Sequence, residues 1–250
     1  MPRPVAAILS LATALAGLCH AAPHEIKVFT DEIAAFREQT LEAHANFAKV
    51  PLGAFGGRRR VFQAMAEYSY GIARNWEASL QLPVARAGDT LYANGFRGEL
   101  QYVATHDDDD GFYWGINTEL AYSSPVAERK FWNAEIIPIV GFRSKSWHAA
   151  VNPGVTVPVS GDHRRVLFEP AAKLAYRVNS GNDLGFEYYL ELGPLRNFVT
   201  GEQQSRVLYA VWDHTQRGVD LNVGLGHGQD RKSTRLNSSH SRASRMPSSA

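Results

Sequence analysis

Residues Val61–Val84 read VFQAMAEYSYGIARNWEASLQLPV. Phe62, Ala64, Ala66, Tyr68 and Tyr70 fall on one side of an extended chain, and Gln63, Met65, Glu67 and Ser69 on the other. After a turn at Gly71–Asn75 the alternation resumes, with Trp76, Ala78, Leu80, Leu82 and Val84 against Glu77, Ser79, Gln81 and Pro83. Successive side chains of a strand point to opposite faces, so period-two alternation marks a strand whose faces meet different surroundings. Two such runs about a turn carrying Gly and Asn make a hairpin. One face is apolar and aromatic; the other carries carboxylates.

The pattern recurs on both sides of this hairpin. Upstream, Thr40–Lys49 sets Leu41, Ala43, Ala45 and Phe47 against Glu42, His44 and Asn46. Downstream come Phe96–Ala104, Phe112–Tyr122, Ala134–Arg143, Trp147–Val157, Val166–Val178, Asp183–Leu192, Ser205–Asp213 and Val219–Leu225. Only Ser205–Asp213 is ambiguous in phase. The total is about eleven strands, many near the roughly 9–11 residues of a membrane-crossing strand.

A soluble sandwich, a lipocalin-like barrel and a membrane barrel all fit such strands. Two features separate them. Aromatic residues, among them Tyr68, Trp76, Trp114, Tyr122, Trp132, Trp147 and Trp212, gather near strand ends, as interfacial girdles require. Connections also alternate in length. Gly71–Asn75, Asp107–Asp110, Ser144–Ser146, Asn179–Asn182 and His214–Gly218 are short. Val50–Arg60, Ala85–Asn94, Ser124–Asn133, Ser160–Arg165 and Gly193–Gln204 are longer. That parity belongs to a meander with short periplasmic turns and longer outer loops. The predicted fold is all-β: an antiparallel up-and-down transmembrane β-barrel of the twelve-strand type, with about eleven strands present and the last strand missing, because an even count returns the chain to its starting side.

The ends read differently. Residues 1–21 form a signal peptide, with Arg3, the apolar run Val5–Leu18 and a small-residue cleavage site around Cys19–Ala21. Residues 22–39 are expected as a short periplasmic N-terminal extension, with a small plug as the alternative. Residues 40–228 are the barrel. Residues 229–250 are read as a disordered, non-native tail. Arg231–Ala250 (RKSTRLNSSHSRASRMPSSA) has no alternation and resembles translated sequencing-adapter DNA; the plainer alternative is a disordered basic tail.

The formal charge of +1 conceals an acidic body. Setting aside Arg3 and the five basic residues of the tail leaves 20 basic against 25 acidic side chains, near −5. A nucleic-acid partner is therefore not expected. The tract His106–Asp110 lacks Ca²⁺-loop spacing and reads as a solvated turn. No metal site, cofactor or catalytic residue is assigned. A hydrolase would need a serine beside His44 or His148, and Ser69 and Ser79 share their face. The functional signal is the set of polar residues in inward phase: Glu42, His44, Glu67, Glu77, Arg97, Glu99, Glu119, Glu135, Arg143, His148, Glu169, Lys173, Arg177, Glu187 and Glu191. They line either a charge-selective channel or a lumen closed by ion pairs.

The segments EYSYGIARNWEASLQLPV, EPAAKLAYRV, NSGNDLGFEYYLELGPL and VDLNVGLG resemble a family of proteobacterial outer-membrane barrels similar to the transporter-like proteins associated with meta-pathway phenol degradation. The likeness covers roughly Ile26–Gly228 and rests on strand patterns. It implies an outer-membrane location, passage of small hydrophobic or aromatic compounds, and outer-membrane lipid and the barrel-assembly machinery as partners. Such barrels end in a strand with a terminal aromatic, whereas this chain ends in Ser-Ser-Ala. The expected function is passive passage of small solutes. The alternatives are a non-conducting structural barrel, a lipid-modifying hydrolase and a periplasmic ligand-binding barrel.

Overall fold

The computed structural model describes residues 27–51, 58–87, 90–93, 95–104, 110–123, 131–160, 165–201, 204–216, 219–228 and 240–246. Residues 1–21 with Cys19, read as a signal peptide, residues 22–26, His106–Asp109 and tail residues 229–239 and 247–250 lie outside the described residues.

The strands are β1 Gln39–Pro51, β2 Arg58–Ala73, β3 Trp76–Ala87, β4 Thr90–Ala93, β5 Gly95–Ala104, β6 Gly111–Ser123, β7 Phe131–Arg143, β8 Trp147–Pro158, β9 Leu167–Asn179, β10 Asn182–Glu191, β11 Gly193–Pro194, β12 Ser205–Gln216, β13 Val219–Gly228 and β14 His240–Met246. Twelve of them pair antiparallel in a meander, each with the next. β14 then pairs with β1, so the pairings run full circle. The short β4 and β11 lie beside β3 and β9 at the long-loop end.

The closing strand corrects the sequence reading. The twelfth place is not empty, and residues 240–246 of the tail are extended rather than without structure. The seam they make is thin: β14 pairs five residues of β1 and four of β13, whereas β1 pairs all 13 of its residues with β2. The physical reason is the edge. Without a twelfth strand, β1 and β13 would each present a row of unpaired backbone groups. Hydrocarbon offers those groups no partner, and backbone pairing makes little demand on side chains.

The distribution of polarity is the inverse of a soluble protein. Leu82 is 53% exposed and Val151 51%, whereas Glu67 and Asn117 are 0%. The apolar face is thus the outer, lipid-facing one, and the polar face lines the lumen. Aromatic clusters mark both rims. Trp76, Tyr102 and Trp114 pack together at the short-turn end, beside Phe112–Phe142 and Trp147–Tyr176. Phe96, Tyr122 and Trp132 pack at the long-loop end.

The opening hairpin is tighter than predicted. β2 continues to Ala73, leaving Arg74–Asn75 as the turn, with a β-bulge between Gly71 and Ala73. Asn75 has φ 67°, a left-handed conformation that Asn adopts more readily than most residues. Some inward aromatics rest on glycine. Tyr113 lies directly across from Gly141, where a Cβ would overlap its ring, and Tyr209 stands likewise over Gly226.

Gly141→Val is expected to push Tyr113 off its seat and destabilise the barrel by about 1–3 kcal/mol, the usual range for overpacking. Urea unfolding in detergent micelles should show the loss, with Gly98→Val as a control, since a Cβ at Gly98 meets nothing within 4 Å.

Candidate functional site

The lumen is not empty. Residues 27–38, which precede β1, enter the barrel and touch its wall on the side of β1–β3 and β5–β8; this is the plug alternative rather than a periplasmic extension for the part described. Phe29 is clasped by Asn152 of β8: its N–H donates to Oδ1 at 2.7 Å, and its carbonyl accepts from Nδ2 at 3.0 Å. The Phe29 ring packs with Tyr113 and Ile139. Gln101 of β5 donates to the Thr30 carbonyl at 3.2 Å, and the Ala34 N–H donates to Glu77 of β3. Near the short-turn end the strap lies along β2, where Arg37 N–H donates to the Gly71 carbonyl at 2.7 Å and Gly71 N–H donates to that of Glu38 at 3.0 Å. A Cβ on Gly71 would overlap the Ala35 carbonyl oxygen, so a residue without a side chain is what lets the strap approach.

Two charged contacts hold the strap at opposite walls. On β7 and β8, Arg143 grips Asp31 with two nitrogens, at 2.8 and 2.5 Å, and reaches Glu32 at 3.1 Å. His148 Nε2 lies 3.3 Å from Asp31 and 2.9 Å from the Tyr113 hydroxyl. Burial alone would raise the Asp31 carboxyl, but the hydrogen bonds from His148 and Arg143 outweigh it and hold the group well below the usual carboxylate range. On β1 and β2, the Lys27 ammonium sits 3.4 Å from Glu67 and 3.8 Å from Glu42. His44 Nε2 is 3.2 Å from Glu67 and 3.5 Å from Glu42.

Most of the remaining predicted lumen residues fall into two groups. On β9, β10 and β12, Lys173 bridges Glu187 at 3.1 Å and Asp213 at 2.8 Å. Nearer the long loops, register sets Glu99, Glu119 and Glu135 side by side on β5, β6 and β7. Gln81 donates to Glu99 at 2.6 Å, Arg97 approaches Glu119 at 3.7 Å, Asn133 donates to Glu135 at 3.2 Å and Thr156 donates to Glu169 at 2.5 Å. Arg177 pairs with Asp183 at 3.2 Å and is 39% exposed at the short-turn rim. Glu191 corrects the prediction: it has the inward phase, but as the last residue of β10 it stands exposed at the long-loop rim. Ser69 and Ser79 hydrogen-bond each other at 2.8 Å.

A cavity of about 720 Å³ lies between the strap and the β9–β13 wall, extending to the turn residues Ser180 and Gly181. Eight carboxylates line it (Asp31, Glu32, Glu42, Glu77, Asp183, Glu187, Asp213 and Asp220) against Lys27, Arg143, Lys173 and Arg177, a net −4 with the histidines neutral. None of Arg97, Glu99, Glu119, Glu135 or Glu169 borders it; the cavity lies toward the short-turn half. Sequence reasoning missed Lys27, Asp31, Glu32 and Tyr113. The first three lie in a segment without periodicity; Tyr113 lies in inward phase and was legible as such.

No protein-family model matches the chain, and no curated protein matches it. Among solved structures the chain is similar to the translocator domain of the autotransporter NalP from Neisseria meningitidis, with a TM-score of 0.45 and 12% identity, over 82% of this chain and 86% of that one.

The Asp31 latch depends on pH in one direction. A carboxylate with a depressed folded-state pKa contributes stability that is complete above its unfolded value of about 3.9 and is lost as pH falls through the lower folded value. Hydrogen exchange of residues 27–38, corrected for intrinsic rates, should therefore show the same protection at pH 7 and pH 5. Arg143→Ala should reduce that protection at both pH values by the equivalent of about 1–3 kcal/mol.

Proposed function

We propose that this chain is an outer-membrane barrel through which small, positively charged polar solutes pass passively, with residues 27–38 as its internal stopper. The observation that carries the reading is the cavity, whose lining holds eight carboxylates against four basic side chains. A charged, water-accessible wall with low-dielectric surroundings concentrates ions of the opposite sign. The same lining argues against the hydrophobic or aromatic compounds that the family resemblance implies. The lipid-facing apolar band supports an outer-membrane setting, reached through an exported, machinery-assisted route. The reading needs no catalytic residue, metal or cofactor.

The strap is suited to moving. Beyond the buried apolar side chains of Val28, Phe29 and Ala34, its described contacts with the wall are hydrogen bonds and ion pairs, which water can replace as the segment leaves. The side chains paired across the long-loop half favour a second reading, a non-conducting structural barrel.

Planar-bilayer recording separates the two. The full chain is expected to give small, infrequent openings, and a variant lacking residues 27–38 larger and longer ones. Under a KCl gradient the reversal potential should report cation preference of several-fold, following the sign of the wall. Conductance indistinguishable from the lipid background in both proteins would leave the structural reading in place.

A further inference from the structure

The niche that receives Lys27 has a chemistry of its own. Glu42 and Glu67 are directly cross-strand from one another on β1 and β2. Glu67 is fully buried and Glu42 nearly so. Like charges directly opposite on a sheet repel, and burial strengthens the repulsion. The pair therefore calls for a cation, and the strap supplies one in the Lys27 ammonium, which reaches in from the cavity side.

The fit is loose in an informative way. A charge-assisted N–H···O bond settles at about 2.7–2.9 Å. Lys27 Nζ stays at 3.4 and 3.8 Å, tethered two residues before the Asn152 clasp on Phe29. Meanwhile Glu67 Oε2 accepts no hydrogen bond within the described residues; His44 Nε2 lies 3.2 Å from it without the alignment of one. A fully buried carboxylate oxygen thus points into the niche with capacity to spare. An ammonium free of the strap, with three N–H donors, could close on both carboxylates at once.

We propose that Glu42, Glu67 and His44 form a primary-ammonium site on the lumen wall, occupied by Lys27 in the strapped state and open to the ammonium head of a small alkylamine solute when the strap withdraws. This deepens, and rests on, the small-solute reading above: the strap acts as a tethered imitation of the solute. His44 could in principle join the carboxylates in holding a divalent metal ion, since the three donor atoms lie within 4.8 Å of one another. The group seen among them is an alkylammonium, and that decides the assignment.

The test is chemical rescue in the full chain, in detergent micelles, read by the thermal unfolding midpoint. Lys27→Ala should lower the midpoint, and n-butylammonium should restore it saturably. The wild type, with its site filled, should respond little. Tetramethylammonium at equal ionic strength, which has charge but no N–H donor, should not rescue. Lys27→Ala/Glu67→Gln should bind n-butylammonium on the order of tenfold more weakly or worse. If Lys27→Ala does not fold, Lys27→Met keeps the stem and removes the charge. Equal effects of the two ammonium ions, no rescue at all, or stronger rescue by zinc than by n-butylammonium would each overturn the proposal. The readout needs no conduction, so a failure here leaves the bilayer result untouched, and a silent bilayer with saturable rescue would separate the binding site from the passage of solute.

Discussion

Every backbone N–H and C=O of a strand in hydrocarbon must find its partner within the protein, and the rest of this structure follows from that constraint. It requires a closed ring, because an open sheet leaves two edges bare. It sorts side chains strictly by parity, since one face of each strand meets lipid and the other cannot. It also explains the closing strand. β14 is short and joins β1 and β13 over a handful of residues, yet it removes both edges along part of their length. A stretch whose composition looks unlike the other strands can take that place because the ladder is made of main chain.

Parity has a second consequence. With the apolar face committed to lipid, the charged residues are gathered into a narrow interior, and most of them are acidic. Glu42 faces Glu67, and Glu99, Glu119 and Glu135 stand in one row. A lumen of this kind must be balanced by cations, by hydrogen-bond donors or by water. Here Lys173 serves Glu187 and Asp213, Arg97 serves Glu119, and amides and hydroxyls such as Gln81 and Thr156 serve others. Lys27 arrives from outside the strand pattern to serve Glu42 and Glu67. The strap returns the service with Asp31, which answers Arg143 on the far wall. Lys27 and Asp31 are thus complementary to two separate deficits of the barrel.

What could be read in advance divides along the same line. Eleven strands were legible within a few residues, because period-two alternation is written locally. Inward phase was legible for Glu67, Glu99 and His148, which are buried as expected. Ser205–Asp213 resisted because both of its faces are apolar: Val207, Tyr209 and Val211 are buried inside, while Leu208 and Trp212 face out. Phase alone could not place Glu191, since the inward direction means lumen only away from the rim. The strap was not legible beyond a bare alternative. Phe29 meets Asn152 across 123 positions and Asp31 meets Arg143 across 112, and no local pattern encodes such distances. The family resemblance pointed to the membrane barrel but, being carried by strand patterns, could say nothing of the lumen's charge.

The strap and the barrel differ in what holds them, and this difference bears on motion. The barrel is held by a continuous ladder of main-chain bonds that lipid makes obligatory; to open it is to strand many groups at once. The strap buries the apolar side chains of Val28, Phe29 and Ala34, with Phe29 against Tyr113 and Ile139, and its other described contacts are polar. Each of those polar contacts contributes a net of only about 0.5–1.5 kcal/mol, or about 1.5–3 where a charge takes part, because water is a fair substitute for either partner. Withdrawal of residues 27–38 toward the short turns would exchange protein partners for water in a cavity that already extends to that rim. What it cannot exchange without loss is the cation between Glu42 and Glu67, where water replaces a charge by a dipole. The free energy of withdrawal thus gathers at that niche, at Asp31 and at the buried Phe29 ring, and a soluble cation that fills the niche lowers the first of these.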